Sequence, residues 1–105
     1  MPWHQEQSPN DSCLTFVFDG QLSATEGAES AAVLERALAG GARDIVWNVR
    51  AMTGYEAGAR EAWQQVMWPN RKRIRSLKLV GGHGLVRVGA TFLAVLIGVP
   101  LATES

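Results

Sequence analysis

The feature that most constrains the fold is a strand, a capped helix and a second strand in succession. Large apolar residues occupy every second position from 14 to 18 and again from 45 to 49, which is the periodicity of strands. Between them, Ser23-Ala-Thr-Glu26 has the spacing of a helix-initiating capping box, and Gly40-Gly41 supplies a left-handed exit. This order predicts a right-handed parallel crossover, with the second strand covered on both faces.

The remaining segments extend this unit into an α/β fold, a small mixed and mostly parallel sheet of about four strands with helices packed on it. Trp3–Gln7 could pair with the next strand across a turn at residues 8–11. Pro69 removes a backbone donor, so the second helix ends or kinks near Trp68. The later elements are expected to be a helix from Glu56 or Ala57, a strand Ser76–Val80, and an apolar helix from Leu85 to about Gly98.

Length and charge set the outer limits. The 105 residues suffice for one domain, residues 1–105, with a sizeable core. Ten basic and ten acidic residues cancel, so no net charge favours nucleic acid. Nine of the ten acids lie in residues 1–61, and none lies between Ala62 and Thr103. The sequence therefore predicts a surface with two electrostatically different sides.

The chain has the character of a cytoplasmic protein. Cys13 is the single cysteine, which fits a reducing compartment, and its apolar neighbours predict a small buried side chain. The N-terminal residues have neither a basic flank nor an apolar run, so no signal peptide is expected. The most apolar segment, Val88–Ala102, is interrupted by glycine and proline and is shorter than the roughly 20 residues that span a bilayer.

The segment from Asp44 to Arg60 is the candidate functional corner, because a strand there passes through a tight turn into a helix. Ligands of α/β domains collect at such edges, and the first turn of a helix has free amides. From Gly54 to Arg60 there is no Cys, His, Ser, Thr or Asp. The corner therefore offers no obvious catalyst, and we predict no enzymatic activity.

Several segments of this chain together resemble the STAS domain of anti-sigma factor antagonists, the SpoIIAA-like family. That family ends its second strand with Gly-Glu-Leu-Asp, which Gly20-Gln-Leu-Ser23 matches at two of four positions. Its Asp-Ser-Ser-Gly-Leu motif at the start of the second helix aligns with Glu56-Ala-Gly-Ala-Arg60 without an identity. The resemblance covers nearly the whole chain in element order, although a last strand found in many members is not expected here.

The resemblance implies a bacterial signalling protein in transcription regulation that binds a kinase-like anti-sigma factor or another protein. The family's phosphorylated serine aligns with Gly58, so this chain has lost the phosphorylation switch or never had it. The proposed partner-binding residues are Tyr55, Glu56, Ala57, Gly58 and Arg60. The simpler interpretation remains open, in which Glu56 is only a favourable charge at the helix N-terminus and Arg60 is a solvated side chain beside a core Trp63.

Other chemistries have weaker support. The basic segment Trp68–Arg75 could make nonspecific contacts with an anion, but specific nucleic-acid binding is not expected. Gly81-Gly-His-Gly84 lacks the spacing of a nucleotide-binding loop, so no cofactor is predicted. His4, Cys13 and His83 do not have the spacing of metal ligands, so no metal is predicted either.

The last helix is more apolar than packing on one sheet face requires. Four covers for the surplus apolar surface remain open at this point: a second subunit in a homodimer, an apolar ligand, a lipid surface, or the segment around Trp3. The apolar-ligand or lipid-associated alternative is the second functional hypothesis, since the SpoIIAA-like family includes lipid-associated members.

Overall fold

A computed structural model describes residues 3–7, 12–82 and 84–104, which form five strands and three α-helices. In chain order these are β1 (Trp3–Gln7), β2 (Cys13–Leu22), α1 (Ala24–Ala39), β3 (Arg43–Tyr55), α2 (Ala57–Met67), β4 (Ile74–Val80), α3 (Gly84–Ile97) and β5 (Leu101–Glu104). The strands lie in one sheet in sequence order, with β1 antiparallel to β2 and all other neighbours parallel. The predicted α/β fold with a mostly parallel sheet is confirmed. The predicted turn at residues 8–11 lies outside the described residues.

The start and end of α1 follow from its sequence. The Glu26 amide donates to Ser23 Oγ at 3.1 Å, and the Ser23 amide donates to Glu26 Oε1 at 3.0 Å, which completes the predicted capping box. These contacts lower the pKa of the Glu26 carboxyl, chiefly through the hydrogen bond from the Ser23 amide and then through the Ser23 side chain. At the other end Gly41 has a φ of 137°, which turns the chain toward β3.

The hydrophobic core lies between the helices and one face of the sheet. Residues of β2, β3 and β4 are aligned there in two buried rows, Leu14–Ile45–Leu77 and Phe16–Trp47–Leu79. Val46 and Asn48 point to the opposite face and are partly exposed, so the expectation that β3 is covered on both faces was wrong. The physical reason is that right-handed crossovers running in one direction across a sheet place all their helices on the same face.

Trp63 of α2 connects the helical layer to the sheet. Its ring packs edge-on against Phe16, with 4.9 Å between centroids, and against Trp47 at 5.8 Å. Its indole Nε1 donates to Ser30 Oγ of α1 at 2.9 Å, and Ser30 is fully buried. The interpretation of Trp63 as a core residue is confirmed, and its single polar atom is satisfied inside the core.

The strand β3 is longer than predicted. Instead of ending near Val49 and turning, it continues to Tyr55, directly before α2. The extension pairs with the end of β2 through Gly20 and Leu22, after register shifts that Gly20 accommodates with a φ of 68°. The predicted tight turn therefore reduces to the single residue Glu56, because backbone pairing with β2 keeps the preceding segment extended.

A fifth strand, β5, corrects the expectation that the last strand is missing. Leu101–Glu104 pairs in parallel with Leu77–Val80 at the edge of the sheet. Three of its four residues are exposed, so it carries no alternating apolar pattern from which a strand could be predicted. Backbone pairing with β4 defines it, and the Lys78 Nζ–Glu104 Oε2 ion pair at 3.4 Å lies beside that pairing.

Candidate functional site at the β3–α2 corner

The corner is built by the end of β3 and the start of α2. Glu56 is the N-cap of α2, with extended backbone angles, and its amide donates to the Leu22 carbonyl at 2.9 Å. That hydrogen bond continues the pairing of β2 with β3 up to the first turn of the helix. The corner is therefore fixed at the carboxyl edge of two parallel strands, where binding sites of open α/β sheets are found.

The Glu56 side chain joins α2 to the start of α1. It makes no capping hydrogen bond to its own helix, but its Oε1 accepts from the Ala24 amide at 2.6 Å. Ala24 is the first residue of α1, so the carboxylate lies where the partial positive charges of two helix N-termini are close. Glu56 remains exposed. The backbone of Glu56 thus forms the N-cap of α2, while its side chain places a negative charge at the N-terminus of α1.

The first turns of α1 and α2 are in direct contact. A Cβ atom built on Gly58 would lie 2.7 Å from the Ala24 Cβ, and one on Gly27 would overlap the backbone of Ala59. Ala57, one residue earlier, is exposed. Glycine at position 58 thus allows the two helices to approach at a distance that a larger side chain would prevent.

Tyr55 and Arg60 lie on the side of the corner that faces α3, away from α1. They border a cavity of about 70 Å³ between α2, α3 and the sheet. The Arg60 guanidinium lies over the Phe92 ring, with 4.8 Å from Cζ to the ring centroid, and its buried Nε has no hydrogen-bond partner among the described residues. The Tyr55 hydroxyl packs directly on Gly89 of α3. The rest of the cavity lining is apolar: Phe18, Leu22, Trp47, Val49, Met52, Ala59, Trp63, Leu79, Val86, Ala90 and Leu93.

The five residues proposed from the sequence therefore divide into three groups. Glu56 and Ala57 are exposed at the corner, Gly58 packs against α1, and Tyr55 and Arg60 line the cavity beside α3. Sequence reasoning missed both the Ala24 contact and the cavity. Glycines inside predicted helices were the available signal, because such glycines often mark close approach of another element.

The basic segment after α2 contacts its own chain extensively. Arg71 stacks on Trp68, with its Cζ 4.0 Å from the ring centroid, and donates to the Trp68 carbonyl. Arg73 donates to the Leu38 carbonyl at the end of α1, and Arg75 donates to Asp44. These hydrogen bonds give the cations a structural role at the amino edge of the sheet, opposite the β3–α2 corner.

Among residues 3–7, 12–82 and 84–104, no group of three or more His, Cys, Asp or Glu side chains is placed to hold a metal ion. Within the same described ranges, no helix has the length and apolar character needed to cross a bilayer. His83, in the glycine-rich segment, lies outside the described residues.

Comparison with solved structures identifies the architecture. An uncharacterized DUF3478-family protein with a SpoIIAA-like fold from Shewanella loihica PV-4 is similar at a TM-score of 0.72 and 17% identity, over 98% of this chain and 84% of that one. The fold is SpoIIAA-like. Unphosphorylated SpoIIAA, an anti-sigma factor antagonist, matches at a TM-score of 0.70 and 12% identity, over 98% of this chain and 87% of that chain.

The sequence matches no protein-family model and no curated protein. At 12–17% identity the likeness extends to the SpoIIAA-like fold and not to the partner or the activity of either structure. Function must therefore be argued from the residues of this chain.

Proposed function

We propose that this protein is a noncatalytic, cytoplasmic regulatory module of a bacterial signalling pathway that binds a protein partner through the β3–α2 corner. The observation that carries the proposal is the exposure of Glu56 and Ala57 at the carboxyl edge of a SpoIIAA-like sheet. The likeness to an anti-sigma factor antagonist supports a kinase-like anti-sigma factor or a related signalling protein as the partner class.

Binding at this corner is constitutive in our proposal. A phosphorylation switch at the start of α2 requires a hydroxyl group there, so that a near-dianion can form beside the helix amides and change docking. Position 58 has no side chain, and the Ala24 Cβ occupies the space into which one would grow. The Glu56 carboxylate supplies a negative charge two residues earlier, which does not depend on a kinase.

The contact surface is narrow, and this determines how it should be tested. Glu56 stabilises α1 and Arg60 packs on Phe92, so changing either residue would perturb the fold as well as the surface. Ala57 has neither role and is exposed on the first turn of α2. An Ala57→Arg variant therefore adds a bulky cation to the corner while leaving the internal contacts in place.

The test compares wild type, Ala57→Arg and Gln65→Arg as baits in extracts of the source organism. Gln65 is exposed on the same helix, two turns away, and serves as the matched control for added charge. We expect wild type and Gln65→Arg to retain one specific signalling protein, identified by mass spectrometry, and Ala57→Arg to lose it. Titration of the purified partner should then show at least a tenfold weaker Kd for Ala57→Arg. The proposal fails if all three baits retain the same proteins with equal affinity.

A second candidate function, binding of a small apolar ligand, is favoured by the cavity beside Tyr55 and Arg60. Its lining is almost entirely apolar, and about 70 Å³ accommodates only a small group or the end of a longer chain. Native mass spectrometry of the purified protein, followed by solvent extraction, tests this function directly. Protein that carries no small molecule and shows no affinity for apolar probes would exclude it.

A further inference from the structure

The cavity between α2, α3 and the sheet has one cation in an otherwise apolar lining. Arg60 is the only charged residue that borders it. The ion pairs within the described ranges join other side chains, and none of them involves Arg60. The nearby acid Glu56 turns away from the cavity, since its carboxylate accepts from the Ala24 amide. A positive charge therefore borders an apolar cavity without a negative charge of the protein to balance it.

The guanidinium of Arg60 lies at the solvent-facing edge of this cavity. Its face stacks on the ring of Phe92, which is 43% exposed, with 4.8 Å from Cζ to the ring centroid. Its Nε is buried without a hydrogen-bond partner among the described residues, whereas neither Nη group is buried in this way. Stacking through the face leaves the in-plane N–H groups free to donate. Such a planar fork of donors matches the two oxygens of a carboxylate.

Two other buried nitrogens in the described ranges lack a partner, but neither lies in this setting. Arg43 has a buried Nε, yet its Nη1 donates to the Ala42 carbonyl and its side chain does not line the cavity. Trp3, one of the covers for α3 considered from the sequence, packs on Phe16 and does not line the cavity either. Of the three, only Arg60 combines an unpartnered donor group with an apolar cavity.

The size of the cavity limits the apolar part of a ligand. An apolar cavity of about 150 Å³ holds benzene, so about 70 Å³ corresponds to roughly three or four carbon atoms. The indole N–H of Trp63, which belongs to the lining, is already bound to Ser30 and offers no hydrogen bond to a ligand. The cavity therefore suits a short aliphatic chain whose polar end stays at Arg60.

We propose that this cavity binds a short-chain aliphatic monocarboxylate of about four or five carbon atoms. The carboxylate accepts from the Arg60 guanidinium, and the chain packs between α3 and the sheet. The inference rests on the second candidate function, ligand binding in this cavity, and adds the charged group that the ligand carries. A single cation balances a single negative charge, which favours a monocarboxylate over the dianion of a phosphate monoester.

Isothermal titration calorimetry with three probes tests the ligand class. Butanoate has both the charge and the chain, butanamide is its neutral analogue, and acetate keeps the charge but lacks most of the chain. We expect butanoate to bind with a Kd of order 10⁻⁴ to 10⁻³ M, and each of the other two to bind at least about tenfold more weakly.

The outcomes separate this inference from the function on which it rests. Equal affinities for butanoate and butanamide overturn the inference and leave the second candidate function standing. Equal affinities for butanoate and acetate also overturn it, because the site would then bind an anion without using the cavity. Absence of binding by all three probes overturns it as well, and native mass spectrometry then judges the second candidate function separately.

Two variants test the role of Arg60 in the wild-type cavity. Arg60→Met retains an apolar stem beside Phe92 and removes the charge. Arg87→Met is the matched control, because Arg87 is exposed on α3 and does not line this cavity. We expect Arg60→Met to bind butanoate at least about tenfold more weakly, and Arg87→Met to bind it like wild type. Folded Arg60→Met protein, checked by circular dichroism, that keeps the wild-type affinity overturns the proposal.

A measurement on wild type does not depend on how well a variant folds. The Arg60 Nε–H is shielded from water, so it should give an observable ¹H–¹⁵N resonance. Butanoate should shift this resonance, whereas the same concentration of butanamide should leave it in place. Nuclear Overhauser contacts from the butanoate methyl group to Val86 or Leu93 should place the chain in the cavity. Butanoate that binds without shifting the Arg60 resonance, or that contacts only residues outside the cavity lining, overturns the proposal.

Discussion

The Cα of Gly58 faces Ala24 so closely that a Cβ atom on Gly58 would lie 2.7 Å from the Ala24 Cβ. In the alignment predicted from the sequence, Gly58 takes the position of the phosphorylated serine of the STAS domain. Two properties of the corner therefore coincide at one residue, since the position lacks a hydroxyl group and also lacks the space for one. A serine at position 58 would therefore fit only if α1 moved away from α2.

The first prediction concerns this contact. A Gly58→Ser variant should be less stable than wild type by about 1–3 kcal/mol from overpacking, even though serine has the better helix propensity by about 0.5 kcal/mol. For a domain of this size the melting temperature should fall by several degrees, about 4–8 °C per kcal/mol. Urea denaturation followed by circular dichroism measures the difference.

Ala24→Gly is the control for the proposed cause. Removing the opposing methyl group should make Gly58→Ser much less costly, so that the double variant is more stable than the sum of the single effects predicts. Additive effects would show that the loss arises elsewhere than in the contact of these two residues.

The second prediction concerns the buried hydrogen bond from Trp63 to Ser30. Ser30→Ala removes the acceptor of the indole N–H inside the core, where water cannot replace it. The expected loss is about 1–3 kcal/mol, the cost of an unsatisfied buried donor. Chemical denaturation measures it, with tryptophan fluorescence reporting the changed surroundings of Trp63. In a Trp63→Phe background, which has no donor, Ser30→Ala should cost clearly less; an equal cost would assign the effect to packing of Ser30 alone.

The sequence predicted those parts of the fold that depend on local rules. The capping box at Ser23 and Glu26 required only residue types and spacing, and the alternation at 14–18 and 45–49 identified the buried strand faces. Two features were not predicted because they depend on non-local contacts: the extension of β3 to Tyr55 and the strand β5. Both depend on backbone pairing with a neighbouring strand, which exposed residues such as Thr103 do not encode.

The candidate site was predictable in position but not in arrangement. Strand and helix order placed it at the carboxyl edge of the sheet, since topology fixes that edge. The directions of its side chains depend on contacts between elements far apart in sequence. Glu56 turns to Ala24, and Arg60 turns to Phe92, because of how α1 and α3 pack beside α2. No local pattern in residues 55–60 carries that information.

The third prediction is a pH dependence of the α1 capping box. The folded-state pKa of Glu26 lies below its ordinary value of 4.5, so the unfolded chain binds the proton more readily. The stabilisation from this carboxylate is therefore complete above that ordinary value and is lost as the pH falls through the lower folded-state pKa. The difference in the free energy of unfolding between wild type and Glu26→Gln should be constant near neutral pH and should decrease in acid.

Urea midpoints measured from neutral pH down into the acid range test this dependence. Glu29→Gln is the matched control, since it removes a carboxylate from an exposed position of the same helix outside the capping box. Ser23→Ala, which breaks the other half of the box, should cost about 1 kcal/mol at neutral pH. If the stability difference between wild type and Glu26→Gln increased as the pH falls, that result would contradict the assigned hydrogen bonds.

The last prediction concerns the contact of Tyr55 with Gly89, which sets how closely α3 approaches the corner. The Tyr55 hydroxyl and ring occupy the space where a Cβ atom on Gly89 would lie. In the wild-type background Gly89→Ala should destabilise the protein. The free-energy cost of relieving the overlap with Tyr55 should exceed the roughly 1 kcal/mol that alanine gains over glycine inside a helix. In a Tyr55→Ala background the same substitution should become neutral or stabilising by up to about 1 kcal/mol. Chemical denaturation of the four proteins measures both effects. An equal effect of Gly89→Ala in the two backgrounds would mean that other contacts position α3 against the β3–α2 corner.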